Sequence, residues 1–250
     1  MASAMRTDVA EADAEALDGF DPEQVDMMAE AVILVDEMDR PLGRASKVNA
    51  HRGAGAYHRA FSVMLFDQNG RLLLQRRADD KITFPGIWAN TCCSHPLDVP
   101  EEREETDGLG VRRAAVRKLK QELGIESVSV DDLTYVGRFR YQARQDETWI
   151  EREVDHLLVG RVKDLEVSPN PNEVAEVRWV SQDDMEAMLV EENPEHPVAP
   201  WFRCIAARLM DDAWWNAETK EDHQALFDEH IHDLGDVSHM LPGAVGADLR

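Results

Sequence analysis

Apolar and polar positions along the chain fall into two periods, one suited to strands and one to helices. Ala31 to Val35 is an unbroken apolar run ending at Asp36, and Asp39-Arg40-Pro41-Leu42-Gly43 supplies the Asp, Pro and Gly of a turn. A strand followed by a reversal is expected there. Phe61 to Asp67 and Arg71 to Arg77 are β-prone runs joined by Gln68-Asn69-Gly70, and the Asn-Gly pair favours a tight hairpin. From Leu109 to Leu123 the apolar positions Val111, Ala115, Val116, Leu119 and Leu123 repeat at helical spacing, with Gly124 as the stop. Tyr135 to Tyr141, Glu153 to Val162 and Val174 to Val180 read as further strands, Ser181 caps a helix reaching about Glu191, and Trp201 to Trp215 again has helical spacing.

This order of elements predicts an α+β fold, a mixed sheet with helices packed on it and no internal repeat. Residues 1–29 mix Ala with Asp and Glu and are expected to form an acidic arm or short helix outside the core. Residues 30–216 then form one catalytic domain, and 217–250 a polar extension whose end, after Pro242-Gly243, is expected to lack fixed structure.

Composition narrows the function. A 250-residue chain that is 43% apolar can bury a full core. Its formal net charge of -23 excludes a broadly basic nucleic-acid surface and makes a polyanionic partner unsuitable. No run approaches the length of a membrane span, and residues 1–20 lack a basic start and apolar segment, so a cytoplasmic protein is expected. Three cysteines, two of them adjacent, make no disulfide framework. Of the 27 basic residues 21 are Arg and six Lys, against 50 acidic ones. That skew points to a halophile, because molar salt shortens the Debye length to roughly 3 Å and screens the repulsion; an ordinary acidic cytosolic protein is the alternative.

The densest chemical clue is Asn90-Thr91-Cys92-Cys93-Ser94-His95-Pro96, which follows the turn-forming Phe84-Pro85-Gly86-Ile87-Trp88. Taken alone, Cys93 and His95 read more plainly as structural or incidental residues. His51, His58 and His95 together with Glu151 and Glu153 are a candidate metal set, since carboxylates two apart on a strand share one face. Each histidine singly is an ordinary core or surface residue. Lys47, Arg77 and Lys81 form a basic group suited to phosphate oxygens, although solvated surface cations are the plainer reading. The helix Arg117-Lys118-Leu119-Lys120-Gln121-Glu122-Leu123-Gly124 resembles a degraded Nudix box. Lys118 and Gln121 stand where the hydrolase motif has Glu, leaving Glu122 as the matching carboxylate.

From Glu30 to Trp201 the chain resembles the type I isopentenyl-diphosphate isomerases, a branch of the Nudix superfamily. Lys47, His51 and His58 match that family's Lys-His-His spacing, Arg76-Arg77-Ala78-Asp79-Asp80-Lys81 its Arg-Arg-Ala-x-x-Lys element, and Pro85 to Asn90 its Pro-Gly-x-Trp-x-Asn run. Cys93-Ser94-His95-Pro96 stands for Cys-Gly-His-Pro, departing at Ser94, and Tyr141, Glu151 and Glu153 match the Tyr and Glu-x-Glu. Glu-rich residues Glu101 to Glu105 read as a surface insertion.

The resemblance implies a Nudix-like mixed sheet sandwiched by helices, and an enzyme that interconverts isopentenyl and dimethylallyl diphosphates in isoprenoid biosynthesis. Cys93 and Glu153, the latter assisted by Tyr141, would be the acid/base pair. Lys47, Arg77, Lys81 and Lys118 would hold the diphosphate, with Trp88 and Trp201 around the hydrocarbon. His51, His58, His95, Glu151 and Glu153 would bind a first divalent metal, Mn2+ or Zn2+, and Glu122 would share Mg2+ with the substrate. A Nudix diphosphate hydrolase, a zinc-binding module on Cys92, Cys93 and His95, and a thiol hydrolase built on Cys93 are the competing readings. The single carboxylate of the Nudix helix, the missing second Cys or His pair, and the unexplained Glu-x-Glu respectively count against them.

Overall fold

The computed structural model describes residues 16–190 and 197–241. The centre of the fold is β3 (His58–Asp67), whose ten positions are all buried. Met64 and Phe66 face one apolar core and Phe61, Val63 and Leu65 another, so the strand needs apolar side chains on both faces and cannot alternate. One edge of β3 pairs in parallel with β8 (Ile150–Val162) along its whole length. Its other edge is shared in succession by β1 (Ala31–Val35) at His58, β6 (Cys92–Ser94) at Phe61 to Val63, and β4 (Leu72–Arg77) at Phe66.

β1 pairs antiparallel with β2 (Pro41–Ser46), β7 (Thr134–Arg144) with β8, and β4 with both β5 (Trp88–Ala89) and β9 (Val174–Val180). The result is one ten-stranded mixed sheet. The expected hairpin is present, but β3 and β4 pair only at Phe66 and Leu72 before diverging to different neighbours. The gap that opens between them receives β6.

On one face lies the long helix Leu109–Leu123, burying Val111, Ala115, Leu119 and Leu123. Gly124 ends it in the left-handed conformation, where a Cβ would stand 2.5 Å from the Ser168 carbonyl oxygen. Helix Pro200–Arg208 covers the other face with Trp201, Phe202 and Ile205.

Four local expectations are corrected. The turn is Asp36 to Arg40, closed by the Asp36 carboxylate accepting from the Met38 and Arg40 amides, so Pro41 to Gly43 already belong to edge strand β2. The helical stretch from Trp201 breaks at Asp211, whose side chain caps the separate helix Asp212–Asn216 by accepting from the Ala213 amide. The N-terminal segment does form a short helix, Pro22–Met28, but not outside the core: it buries Gln24 and Met28, and Met28 packs with Val48, Ile82 and Trp149. Within the C-terminal segment, β10 (Ile231–Asp236) pairs in parallel with β7 and extends the sheet. The acidic stretch 1–15 and the residues after Leu241 lie outside the described residues.

Candidate active site

Register places the reactive groups. Glu153 on β8 is the partner of His58, and Cys93 on β6 is the partner of Ser62, so one central strand fixes both from its two edges. Neighbouring strand residues point to opposite faces. Cys92 therefore enters the helix-side core with its Sγ 3.5 Å from Glu122 Oε2, while Cys93 lines a cavity with Glu153, Tyr141, Glu151 and Trp201. Burial pushes the Cys93 thiol up to about 12 although Arg77 Nη1, 3.8 Å from Sγ, pulls it down.

His51, His58, His95 and Glu153 offer ligand atoms that all lie within 4.8 Å of one another. His51 Nδ1 is 2.7 Å from the Lys47 carbonyl oxygen and His58 Nδ1 2.8 Å from that of Ala56. A carbonyl only accepts, so in each ring Nδ1 carries the proton and Nε2 keeps its lone pair. Burial holds His51 well below its usual range and His95 at about 4, so both rings are neutral donors of electron pairs near pH 7. His58 Nε2 and His95 Nδ1 are buried without a hydrogen-bond partner. Neutral imidazoles with convergent lone pairs, an orphaned ring nitrogen and a carboxylate fit a divalent transition metal.

Glu151 stands outside that four-residue group. Tyr141 Oη is 2.8 Å from Glu151 Oε2 and 2.7 Å from Glu153 Oε2. One hydroxyl proton can serve only one of these contacts, so a carboxyl group must supply the other. Burial, and then the charge of Glu153, raise Glu151 to about 8, making it the protonated member. Burial also acts against the Glu153 charge, but the His58 ring, 3.4 Å from Oε1, and the hydrogen bond from His95 Nε2 at 2.8 Å hold that group well below the carboxylate range. The chain thus runs from a neutral acid through a phenol to a carboxylate.

The same cavity is lined by four cations, Lys47, Arg77, Lys81 and Lys118. Glu122 lies among them, its Oε1 3.0 Å from Lys118 Nζ and its Oε2 3.3 Å from Gln75 Nε2. Burial alone would raise it; Lys118, then Lys81, keep it ionised at about 2. An ionised oxygen pair among these cations suits Mg2+, which takes one or two carboxylates plus phosphate oxygens.

Of the side chains expected here, Trp88 is misplaced. It is buried in the apolar core, away from the cavity lining, with the Arg178 guanidinium 4.7 Å above its ring. Its β5 register against Arg76 turns it there. Trp201 does line the cavity, edge-on to Phe84 at 5.2 Å and 6.0 Å from Tyr141. Residue reasoning missed Gln24, Met27 and Met28, contributed by the N-terminal helix, and Glu173, which bonds Lys81. The Glu-rich stretch is anchored as well: Glu102 is buried and pairs with Arg117 at 2.6 Å.

A sheet clasped between helices, with a long glycine-ended helix presenting Glu122 to a cationic cavity, defines a Nudix-type protein. The Nudix domain model matches residues 56–202. The fold is also similar to solved structures of DR0079 from Deinococcus radiodurans (TM-score 0.51, 19% identity, 72% of this chain and 98% of that one) and of a Nudix hydrolase from Alicyclobacillus acidocaldarius (TM-score 0.50, 14% identity, 69% and 97%). Among curated proteins, isopentenyl-diphosphate Delta-isomerase 1 of Bos taurus is 45% identical over 206 residues, 80% of this chain and 90% of its own. The isopentenyl-diphosphate delta-isomerase of Phaffia rhodozyma is 44% identical over 230 residues, 88% and 90% of the two chains. The chain belongs to the Nudix superfamily and, within it, to the isopentenyl-diphosphate isomerase family.

Proposed function

We propose that this protein interconverts isopentenyl diphosphate and dimethylallyl diphosphate for isoprenoid biosynthesis by adding a proton to one carbon and removing one from another. The observation that carries this reading is the convergence of Cys93 and the Glu151-Tyr141-Glu153 chain on one buried cavity that is also lined by four cations. An alkene is a poor base, so its protonation needs a fixed acid, a fixed base and the exclusion of water from the carbocation between them. Cys93 holds a proton at rest and Glu153 does not, and the reaction runs both ways, so each acts as acid in one direction and base in the other. Arg77 stands beside Cys93 as the counter-ion for a thiolate. Trp201 supplies the aromatic face, a contact with a desolvated cation being worth about 2 kcal/mol.

Lys47, Arg77, Lys81 and Lys118 anchor the diphosphate and so orient a hydrocarbon that has no polar handle of its own. His51, His58, His95 and Glu153 would hold a first divalent ion, Mn2+ or Zn2+, and Glu122 would hold Mg2+. Bound there, these ions supply fixed positive charge, ordering the carboxylates at one site and neutralising phosphate oxygens at the other. The hydrolase alternative needs several clustered carboxylates on the Nudix helix; Lys118 and Gln121 occupy those places. The surface charge fits work at high ionic strength, in a halophile's cytoplasm.

Incubation with isopentenyl diphosphate, Mg2+ and Mn2+ in deuterated water at molar salt tests the assignment. Wild type and Cys92→Ala are expected to form deuterated dimethylallyl diphosphate, and Cys93→Ala to lose at least about a thousandfold in rate. Phosphate release by wild type, or full activity of the Cys93 variant, would overturn it.

A further inference from the structure

Three of the six lysines, Lys47, Lys81 and Lys118, line the same cavity, and each has a carboxylate of its own. Lys47 Nζ is 3.0 Å from Glu30 Oε2, Lys118 Nζ is 3.0 Å from Glu122 Oε1, and Lys81 donates to Glu173. The fourth cation, Arg77, is held by neutral groups instead: its Nε donates to the Phe84 carbonyl oxygen at 2.9 Å and its Nη2 to that of Thr83 at 2.7 Å. Four cations against their three partner carboxylates leave this group with one net positive charge. An alkyl diphosphate brings about three negative charges near neutral pH, so on its own it exceeds that charge by about two. One divalent cation entering with it restores balance.

Glu122 belongs to the metal-facing machinery already described, but Glu30 and Glu173 do not. Glu173 is 1% exposed and is held by the Ala78 amide, which donates to its carbonyl, and by Gln24 Nε2, 3.3 Å from its Oε1. Glu30 follows the N-terminal helix and pairs with Lys47 from outside the cavity lining. A site built only to attract phosphate would leave its lysines unpaired. Here two carboxylates cancel half of the cationic charge in a place where burial makes each charge count.

Building on the diphosphate reading of this group, we propose that Glu30 and Glu173 are specificity-determining residues: by neutralising Lys47 and Lys81 they make the cavity accept a diphosphate as its divalent-metal complex and reject the bare anion. They act through the lysines and touch no reacting atom. A carboxylate kept only for structure would alter stability and leave the dependence of anion binding on metal unchanged.

The test is calorimetric binding of inorganic pyrophosphate to the full-length protein, with and without Mg2+ at constant ionic strength, for wild type, Glu173→Gln, Glu30→Gln and Lys81→Gln. Wild type should bind far more tightly with Mg2+ than without. In Glu173→Gln and Glu30→Gln, affinity for metal-free pyrophosphate should rise and the ratio of the two affinities should shrink by about tenfold. An unchanged ratio in folded Glu173→Gln or, should that variant not fold, in Glu30→Gln, whose carboxylate is partly exposed, overturns the proposal alone. If wild type fails to bind pyrophosphate with Mg2+, or Lys81→Gln binds it as tightly as wild type, the diphosphate reading falls and this proposal with it.

Discussion

Asp39 shows what one side chain contributes away from the reactive cavity. It sits at φ 62 and is buried, with Arg59 Nε 2.8 Å from Oδ1 and His156 Nε2 2.9 Å and Arg138 Nη1 3.2 Å from Oδ2. Burial opposes its charge, but His156 and Arg59 hold it down at about 2. A depressed folded value means stability that is present above the unfolded pKa of about 4 and lost as pH falls towards about 2, roughly 2 kcal/mol in all. Asparagine tolerates the same backbone region and mimics the protonated acid. Asp39→Asn should therefore cost roughly 2 kcal/mol in urea unfolding at neutral pH, with the gap to wild type closing between about pH 4 and 2. A pH-independent gap would show that packing, not charge, is at stake. Cys93 was legible at this scale because motif register separated it from Cys92, and strand alternation then sent the two thiols to opposite faces. Trp88 was not, since whether an aromatic ring lines a cavity or a core depends on which strand pairs beside it.

Among the elements, the helix Leu109–Leu123 was readable to the residue because its apolar spacing and its terminal glycine agree. Its first turn holds a sharper competition. Gly110 is helical, and replacing a helical glycine by alanine ordinarily gains about 1 kcal/mol. Here a Cβ would lie 2.3 Å from the Glu102 carbonyl oxygen, a backbone atom fixed by the buried Glu102 to Arg117 ion pair. Gly110→Ala should lose about 2 kcal/mol or more in urea unfolding, overpacking outweighing propensity; a stabilised variant would show that the Glu101–Glu105 stretch yields freely. The short elements were beyond reading. β5 and β6 hold two and three residues, too few for any periodicity, and exist because β4 diverges from β3. Helix Pro22–Met28 hides its role because the cavity takes Gln24 and methionines from it, not a continuous apolar stripe.

For the molecule entire, the net charge of -23 sets the response to its medium. Many local carboxylates are paired, as in Glu102 with Arg117 and Asp67 with Arg71, so the excess acts as a diffuse field that salt can screen. The melting temperature should climb steeply between about 0.1 M and 1 M KCl and then flatten as the screening length approaches roughly 3 Å. A melting temperature that is indifferent to salt would leave the acidic surface without a part in stability. Composition made that much legible, whereas the parallel crossover joining β3 to β8 links residues too far apart in the chain for any local pattern to reveal.

The strand Ile231–Asp236 bears on how this molecule lives among its own copies. Without it, the eleven residues of Thr134–Arg144 would form an open border whose amides and carbonyls could template another chain. The strand that closes this border is short and carries Asp233, Gly235 and Asp236, a poor surface for further pairing. The tail that the sequence showed only as a polar extension is thus a selvedge, and a chain ending before it would be exposed to aggregation whatever the state of its active site.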